Sequence, residues 1–288
     1  MTKVLVTGAS GFVGSHIADA LSENGFEVIL FDKISSEYKK DTQTFVQGDL
    51  LSSDDLDKVM NGVDYVYHFG AIADIDIANK MPQKALTINI LGTINVIESC
   101  LKNNVKKIIF ASTVYVNSKM GGFYAASKKA CENILENYAK TYNLNYTILR
   151  YGSLYGLRTN EKNGVYRIIK GILENDTYQY NGTGEEMREF INIVDAAKIS
   201  IQCLNEEYNG ECLTITGIEK MRMRDLIEMV KEITQRDTKI EYLGEYNPLH
   251  YNITPYNYAP KIGKKIINNP YVDIGQGILE VVKEISNI

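Results

Sequence analysis

From its first residues to about residue 150 the chain alternates short apolar runs with amphipathic stretches, and this alternation restricts the fold more than any other feature. Residues 4–6, 26–31, 44–47, 64–69, 108–110 and 146–149 have strand length, and helical periodicity fills the segments between them. Strands that alternate with helices build a parallel sheet covered on both faces, which receives ligands at the C-terminal ends of its strands. The small, turn-forming and ionisable residues gather at those ends: Gly8, Asp32, Asp49, Gly70, Ser112 and Tyr151. The predicted fold is α/β, a doubly wound parallel sheet of Rossmann type over 1–152. A smaller C-terminal substrate lobe is expected at 153–288, some segments of which return to the first domain.

The first strand runs into TGASGFVGSH (7–16), whose Gly8, Gly11 and Gly14 form a G-x-x-G-x-x-G turn. Such a turn brings backbone close to a pyrophosphate and opens a helix whose free N–H groups face the anion. Asp32 ends the second strand. A carboxylate there accepts both hydroxyls of an adenosine ribose and repels a 2′-phosphate, which favours NAD over NADP. Lys33 weakens that preference, and a turn cap is the other reading of Asp32. Asp49 can bond an adenine amine or start a turn, and Gly70-Ala71 let a cofactor lie across the strand tips. Pro82 opens a helix predicted to run to about Asn103. Its Asn89 either bonds backbone as a helix-face amide or steadies the strand that carries Ser112 and Thr113.

The segment KKIIFASTVYVNSKMGGFYAASKK (106–129) carries the chemistry. Tyr124 and Lys128 lie one helical turn apart and share a face. An ammonium beside a phenol favours the phenolate, so Tyr124 is a candidate general base, with a hydroxyl of Ser112 or Thr113 holding a substrate oxygen. The plain alternative is a surface Lys and a half-buried Tyr in a chain with 20 Tyr. This helix is predicted to bury Cys131, Ile134, Leu135, Tyr138 and Tyr142 and to expose Lys129, Glu132, Glu136 and Lys140.

Past residue 152 the pattern breaks into turn clusters at 160–164, 181–184 and 209–210. Then comes a tail rich in Tyr (Tyr242, Tyr246, Tyr251, Tyr256, Tyr258, Tyr271) and cut by Pro248, Pro255 and Pro260. A net charge of −5 gives no broad basic surface for nucleic acid. Four scattered Cys and three His argue against a metal site and for reduced packing residues. The apolar runs are too short to span a bilayer and no signal peptide is visible, so a soluble, cytoplasmic protein is expected.

The chain resembles the extended short-chain dehydrogenases/reductases, specifically the NAD-dependent epimerase/dehydratase group acting on nucleotide sugars. The resemblance rests on TGASGFVGSH (7–16), Asp32, GDL (48–50), HFGAIA (68–73), NILGTINVIESC (89–100), FAST (110–113), YAASK (124–128), LRYGSLYG (149–156) and GTGEEMREFINIVDAA (182–197). It implies that Tyr124 takes the sugar hydroxyl proton, that Lys128 lowers its pKa and bonds the nicotinamide ribose, and that Thr113 or Ser112 binds the reacting oxygen. Gly8, Gly11, Phe12, Val13 and Gly14 would line the pyrophosphate, Asp32 with Lys33 the adenosine ribose, and Asp49-Leu50 the adenine. Phe69, Gly70, Ala71, Asn89 and Tyr151 complete the implied NAD contacts. Thr113, Ser153 and Arg188 would contact the nucleotide-diphosphate sugar. Arg188 would clamp its diphosphate, an ion pair with Glu185 or Glu189 being the alternative.

Departures from the family pattern narrow the reaction. Thr113 runs directly into Val114-Tyr115, two residues short of the usual spacing, and no Asp-Glu pair follows it. No Cys lies at this site, Ser153 stands where a sugar-contacting Asn is usual, and Leu157 replaces a Pro. These residues support reversible hydride transfer at the sugar C4 by an epimerase. A one-way 4-dehydrogenase or 4-keto reductase, or a non-catalytic dinucleotide binder, are the alternatives. The helices at 82–103 and 124–142 pair between subunits in many relatives, which implies a homodimer.

Overall fold

The computed structural model describes residues 1–245, 249–255, 264–266 and 271–286. The first six strands are β1 (Lys3–Thr7), β2 (Glu27–Asp32), β3 (Thr44–Gln47), β4 (Tyr65–His68), β5 (Lys107–Thr113) and β6 (Asn145–Tyr151). Between them lie α1 (Phe12–Glu23), α2 (Ser53–Met60), α3 (Ile75–Lys80), α4 (Pro82–Leu86), α5 (Gly92–Lys102) and α6 (Gly122–Tyr142). Every pairing among these strands is parallel, in the order β6-β5-β4-β1-β2-β3. The order reverses between β1 and β4, which is where a doubly wound sheet opens a crevice for a ligand.

Residue alternation along the strands divides the core in two. Val4, Val6 and Ile109 face one layer with Ile17 and Leu21 of α1, while Leu5, Ile108 and Phe110 face the other with Ile97 and Leu135. A strand sandwiched this way has no solvent side, and all seven residues of β5 are buried.

The second half contributes β7 (Ser153–Tyr155), α7 (Gly164–Glu174), β8 (Thr177–Tyr180), β9 (Met187–Asn192) and α8 (Ile193–Gln202). It continues with β10 (Glu211–Ile215), β11 (Lys220–Arg222), α9 (Met223–Thr234), β12 (Lys239–Tyr242), β13 (Lys264–Lys265) and α10 (Ile274–Ser286). β10 and β13 extend the main sheet beyond β6 to eight strands, and α8 packs with α1 in the same core layer. A separate cluster gathers apolar residues of α7, α9 and α10, among them Ile169, Leu226, Ile227 and Ile278. Beside it stand a three-stranded sheet, β11-β9-β7, and the β12-β8 pair.

Three expectations need correction. The helix predicted over 82–103 is broken by a π-turn at Thr87–Leu91 between α4 and α5. On α6, Tyr142, the last residue of the helix, is 59% exposed, whereas Glu132 is 2% exposed. Glu132 shares the buried stripe of Lys128, Cys131 and Leu135, and it meets the guanidinium of Arg150 on β6. Of the Tyr- and Pro-rich tail, Tyr246, Pro248, Tyr256, Tyr258 and Pro260 lie outside the described residues. Among the described residues no helix is long and apolar enough to cross a membrane.

Candidate active site

The glycine turn sits where β1 meets α1, against the end of β4. Gly8 has φ +68°, and a Cβ there would stand 2.6 Å from the Gly70 nitrogen. A Cβ on Gly14 would stand 2.2 Å from the Gly8 carbonyl oxygen. Neither position tolerates a side chain, so the two strand tips and the helix close up with bare backbone at the surface. No side chain caps α1 at Gly11, which leaves the first N–H groups of the helix for an anion.

His68 pins this junction from below. The Thr7 hydroxyl is 2.7 Å from His68 Nδ1, and Thr93 Oγ1 is 3.0 Å from Nε2. Thr93 spends its own proton on the Asn89 carbonyl, so Nε2–H must donate to Thr93 while Nδ1 accepts from Thr7. Burial pushes the imidazole down to about 3, which keeps it neutral as this chain of bonds requires.

A cavity of about 510 Å³ opens above the strand tips. Asp32, Lys33, Asp49 and Leu50, past β2 and β3, line one end, and Gly8, Gly11, Phe12, Val13 and Gly14, past β1, come next. Phe69, Gly70 and Ala71, past β4, follow the glycine turn, and Ser112, Thr113, Tyr124, Lys128 and Tyr151 line the far end. Its size and bare-backbone floor fit an elongated dinucleotide. Asp32 accepts from the Ser10, Lys33 and Ile34 amides at 3.0, 2.7 and 3.4 Å, so it caps its own turn and also reaches the glycine loop. Lys33 pairs with Asp49 at 2.8 Å across the rim. The Tyr151 hydroxyl is turned away to Ser200, 2.7 Å distant.

Asn89 stands apart from the other expected contacts. It does not line the cavity, and neither does it brace β5. From the π-turn its amide holds both backbone groups of Ile72, at 2.7 and 3.1 Å, and reaches Ser127 Oγ on α6 at 2.9 Å. An extra residue in a helix turns a side chain out of register, a common device at functional sites. Here it fastens the loop after β4 to the helix that carries Tyr124.

At the far end the two hydroxyls part company. Ser112 Oγ donates to Glu132 Oε1 at 2.6 Å. That carboxylate also takes Arg150 Nε at 2.9 Å and Nη2 at 2.6 Å. The Thr113 hydroxyl oxygen instead accepts from the Tyr115 amide at 3.3 Å, and its presence near the Tyr124 phenol acts to lower the phenol's pKa. Lys128 Nζ donates to the Ala111 carbonyl at 2.8 Å and lies 4.8 Å from the centre of the Phe110 ring. The expected acidic phenol is not what this geometry yields. Burial lifts Tyr124 to about 12, with Thr113 opposing it, and burial lowers Lys128 to about 8. Desolvation is the largest cause of both shifts.

A second cavity, of about 640 Å³, shares Gly152 and Leu154 with the first. Ser153 and Arg188 line it, together with Tyr115, Arg167, His250 and Tyr251, which sequence reasoning did not single out. Arg188 has no carboxylate partner among the described residues, since Glu185 pairs with Arg222 and Arg224 and Glu189 with Lys265. Glu132 was legible in principle, because it falls on the apolar stripe of α6. His250 and Tyr251 sit in an irregular stretch with no periodic signal. Among the described residues no cluster of His, Cys, Asp and Glu is placed to hold a metal ion.

The profile of the NAD dependent epimerase/dehydratase family matches residues 4–215. A Methanocaldococcus jannaschii protein provisionally named UDP-glucose 4-epimerase is 30% identical, over 99% of this chain and 98% of its own length. A UDP-N-acetyl-alpha-D-glucosaminuronate decarboxylase of Bacillus cytotoxicus is 28% identical, over 99% of each chain. Among solved structures, the UDP-N-acetylglucosamine 4-epimerase of Methanobrevibacter ruminantium, in complex with UDP-N-acetylmuramic acid, superposes with a TM-score of 0.84. It is 28% identical, and the match covers 100% of this chain and 99% of that one. The UDP-glucuronic acid 4-epimerase of Bacillus cereus, in complex with UDP-glucuronic acid and NAD, also gives 0.84, at 26% identity over 99% of each chain. The glycine turn, the Thr113–Tyr124–Lys128 corner and these full-length matches converge: the chain belongs to the NAD-dependent epimerase/dehydratase family of extended short-chain dehydrogenases/reductases, nucleotide-sugar enzymes that use NAD.

Proposed function

We propose that the protein is an NAD-dependent nucleotide-sugar 4-epimerase acting on a UDP-sugar. The observation that carries this is the grouping of Thr113, Tyr124 and Lys128 on one cavity, which adjoins a second one lined by an arginine with no carboxylate partner among the described residues. Tyr124 is the acid–base group: its oxygen takes the sugar C4 hydroxyl proton on oxidation and returns a proton on reduction. Thr113 orients the sugar oxygen against Tyr124. Ser112 does not take that role, because its proton is committed to Glu132. Bound NAD supplies the hydride acceptor, and the positive charge of its oxidised ring favours the Tyr124 phenolate. Lys128 adds its own charge and donates hydrogen bonds in the same corner. The glycine turn receives the pyrophosphate, Asp32 the adenosine ribose, and Arg188 the substrate's diphosphate, for which a planar fork suits phosphate oxygens. All four cysteines are buried, which leaves no exposed thiol for deprotonation next to a ketone.

We also propose a homodimer through α5 and α6, whose flanks expose Leu91, Phe123 and Tyr142 at 46, 41 and 59%; light scattering on the purified protein tests it. For the activity, the purified protein is incubated with UDP-glucose, UDP-N-acetylglucosamine and UDP-glucuronate without added cofactor, and the products are read by NMR. C4-inverted product is expected, with NAD released on denaturation. Turnover that needs added NAD and accumulates NADH would replace the epimerase by a one-way dehydrogenase. No C4 chemistry under either condition refutes both.

A further inference from the structure

Segment 249–255 links the acid–base corner to the small lobe. At one end the Gly121 amide, at the start of α6, donates to the Leu249 carbonyl at 2.7 Å, and the Tyr115 phenol lies 2.8 Å from His250 Nδ1. At the other end the Met187 amide donates to the Asn252 carbonyl at 2.7 Å, and the Glu189 amide to Thr254 Oγ1 at 3.3 Å. Tyr251 stands between these anchors and is 5% exposed. Its ring centre is 4.6 Å from that of Tyr115, and the Arg188 guanidinium carbon is 4.3 Å from it. Its hydroxyl is 3.3 Å from Ser153 Oγ.

We infer that Tyr251 is the positioning residue for the Arg188 clamp, an inference that rests on the nucleotide-sugar reading above. A free arginine has several rotatable bonds, and an anion that binds it must first stop their motion. Arg188 is already held on two sides. Its Nη1 donates to the Met187 and Asn252 carbonyls at 3.0 and 3.3 Å, and its face stacks on Tyr251. Its Nε and Nη2 have no acceptor among the described residues, so a planar set of N–H donors is left for a diphosphate. The Tyr251 ring, in turn, is held by Tyr115, two residues beyond Thr113. The aromatic stack therefore ties the distance between diphosphate and acid–base corner to one rigid contact.

The test is calorimetric titration of UDP into the NAD-loaded full chain. Stacking of a half-buried guanidinium on an aromatic face corresponds to roughly a 3- to 30-fold change in affinity. Tyr251→Leu is expected to weaken UDP by that factor and to raise KM for the UDP-sugar with kcat largely kept. Tyr251→Phe retains the ring and is expected to retain affinity. In an Arg188→Ala background, Tyr251→Leu should have no further effect. If Tyr251→Leu costs as much without Arg188 as with it, or if Tyr251→Phe is as weak as Tyr251→Leu, the positioning role is overturned while the clamp stands. If Arg188→Ala leaves UDP affinity unchanged, the clamp itself is wrong. Unchanged NAD affinity in each variant separates these outcomes from misfolding.

Discussion

Replacing Glu132 by Leu tests the buried network behind the acid–base corner. Glu132 and Arg150 have side chains 3% and 2% exposed, and three hydrogen bonds of 2.6–2.9 Å converge on the one carboxylate. Arg150 Nη1 already lacks a partner, so the guanidinium has no second acceptor to fall back on. Removing one member of a buried pair leaves a bare charge and costs about 3–5 kcal/mol. For a chain of this size that corresponds to a fall in Tm of roughly 5–15 °C. The pair itself is worth much less than its disruption, because desolvation offsets most of the attraction. The double variant Glu132→Leu/Arg150→Met should therefore recover most of the loss. Thermal unfolding followed by circular dichroism reads both. A single variant within about 1 kcal/mol of wild type, or a double variant no better than the single, would refute the reasoning.

Tyr124→Phe should lower kcat by about 10²–10⁴ while NAD affinity, measured by titration, is kept. Thr113→Val should lower kcat strongly, whereas Ser112→Ala should leave kcat close to wild type and lower Tm, since it removes only a donor to Glu132; equal kinetic losses would contradict the division between the hydroxyls. His68 and His16 have folded pKa values of about 3 and about 4, below the ordinary 6.5. The unfolded chain thus binds more protons than the folded one in this window. Stability is fully present above pH 6.5 and declines as pH falls toward 4, by about 1.4 kcal/mol per unit for each His. Urea unfolding between pH 4 and 7 should show that slope, and His68→Gln should flatten it.

The strand tips were readable from sequence because strand burial and glycine turns leave local marks: Gly8, Asp32 and Gly70 fall where the period of the chain changes. Glu132 was misread because a glutamate on a helix ordinarily faces water, and its partner Arg150 lies on another strand. The choice between Ser112 and Thr113 stayed open for the same reason, since it turns on which neighbour has already taken the proton. Lys128 could be placed beside Tyr124 by spacing alone. The dryness of that corner, which reverses the expected shift, comes from the whole fold. His250 and Tyr251 reach the second cavity from a stretch without periodicity, so nothing local announces them.

Asp32 ties its own turn and the Ser10 amide together. Anyone re-engineering the cofactor preference toward a phosphorylated ribose inherits that coupling. Deleting the carboxylate to relieve repulsion also releases the glycine loop through the Ser10 amide, so a weaker grip on both cofactors would follow, not an exchange of one for the other. Asn at this position can serve only one side of that bonding, since its one oxygen can accept from the Lys33 and Ile34 amides or from the Ser10 amide but its NH2 accepts from neither, so even this conservative change loosens the coupling.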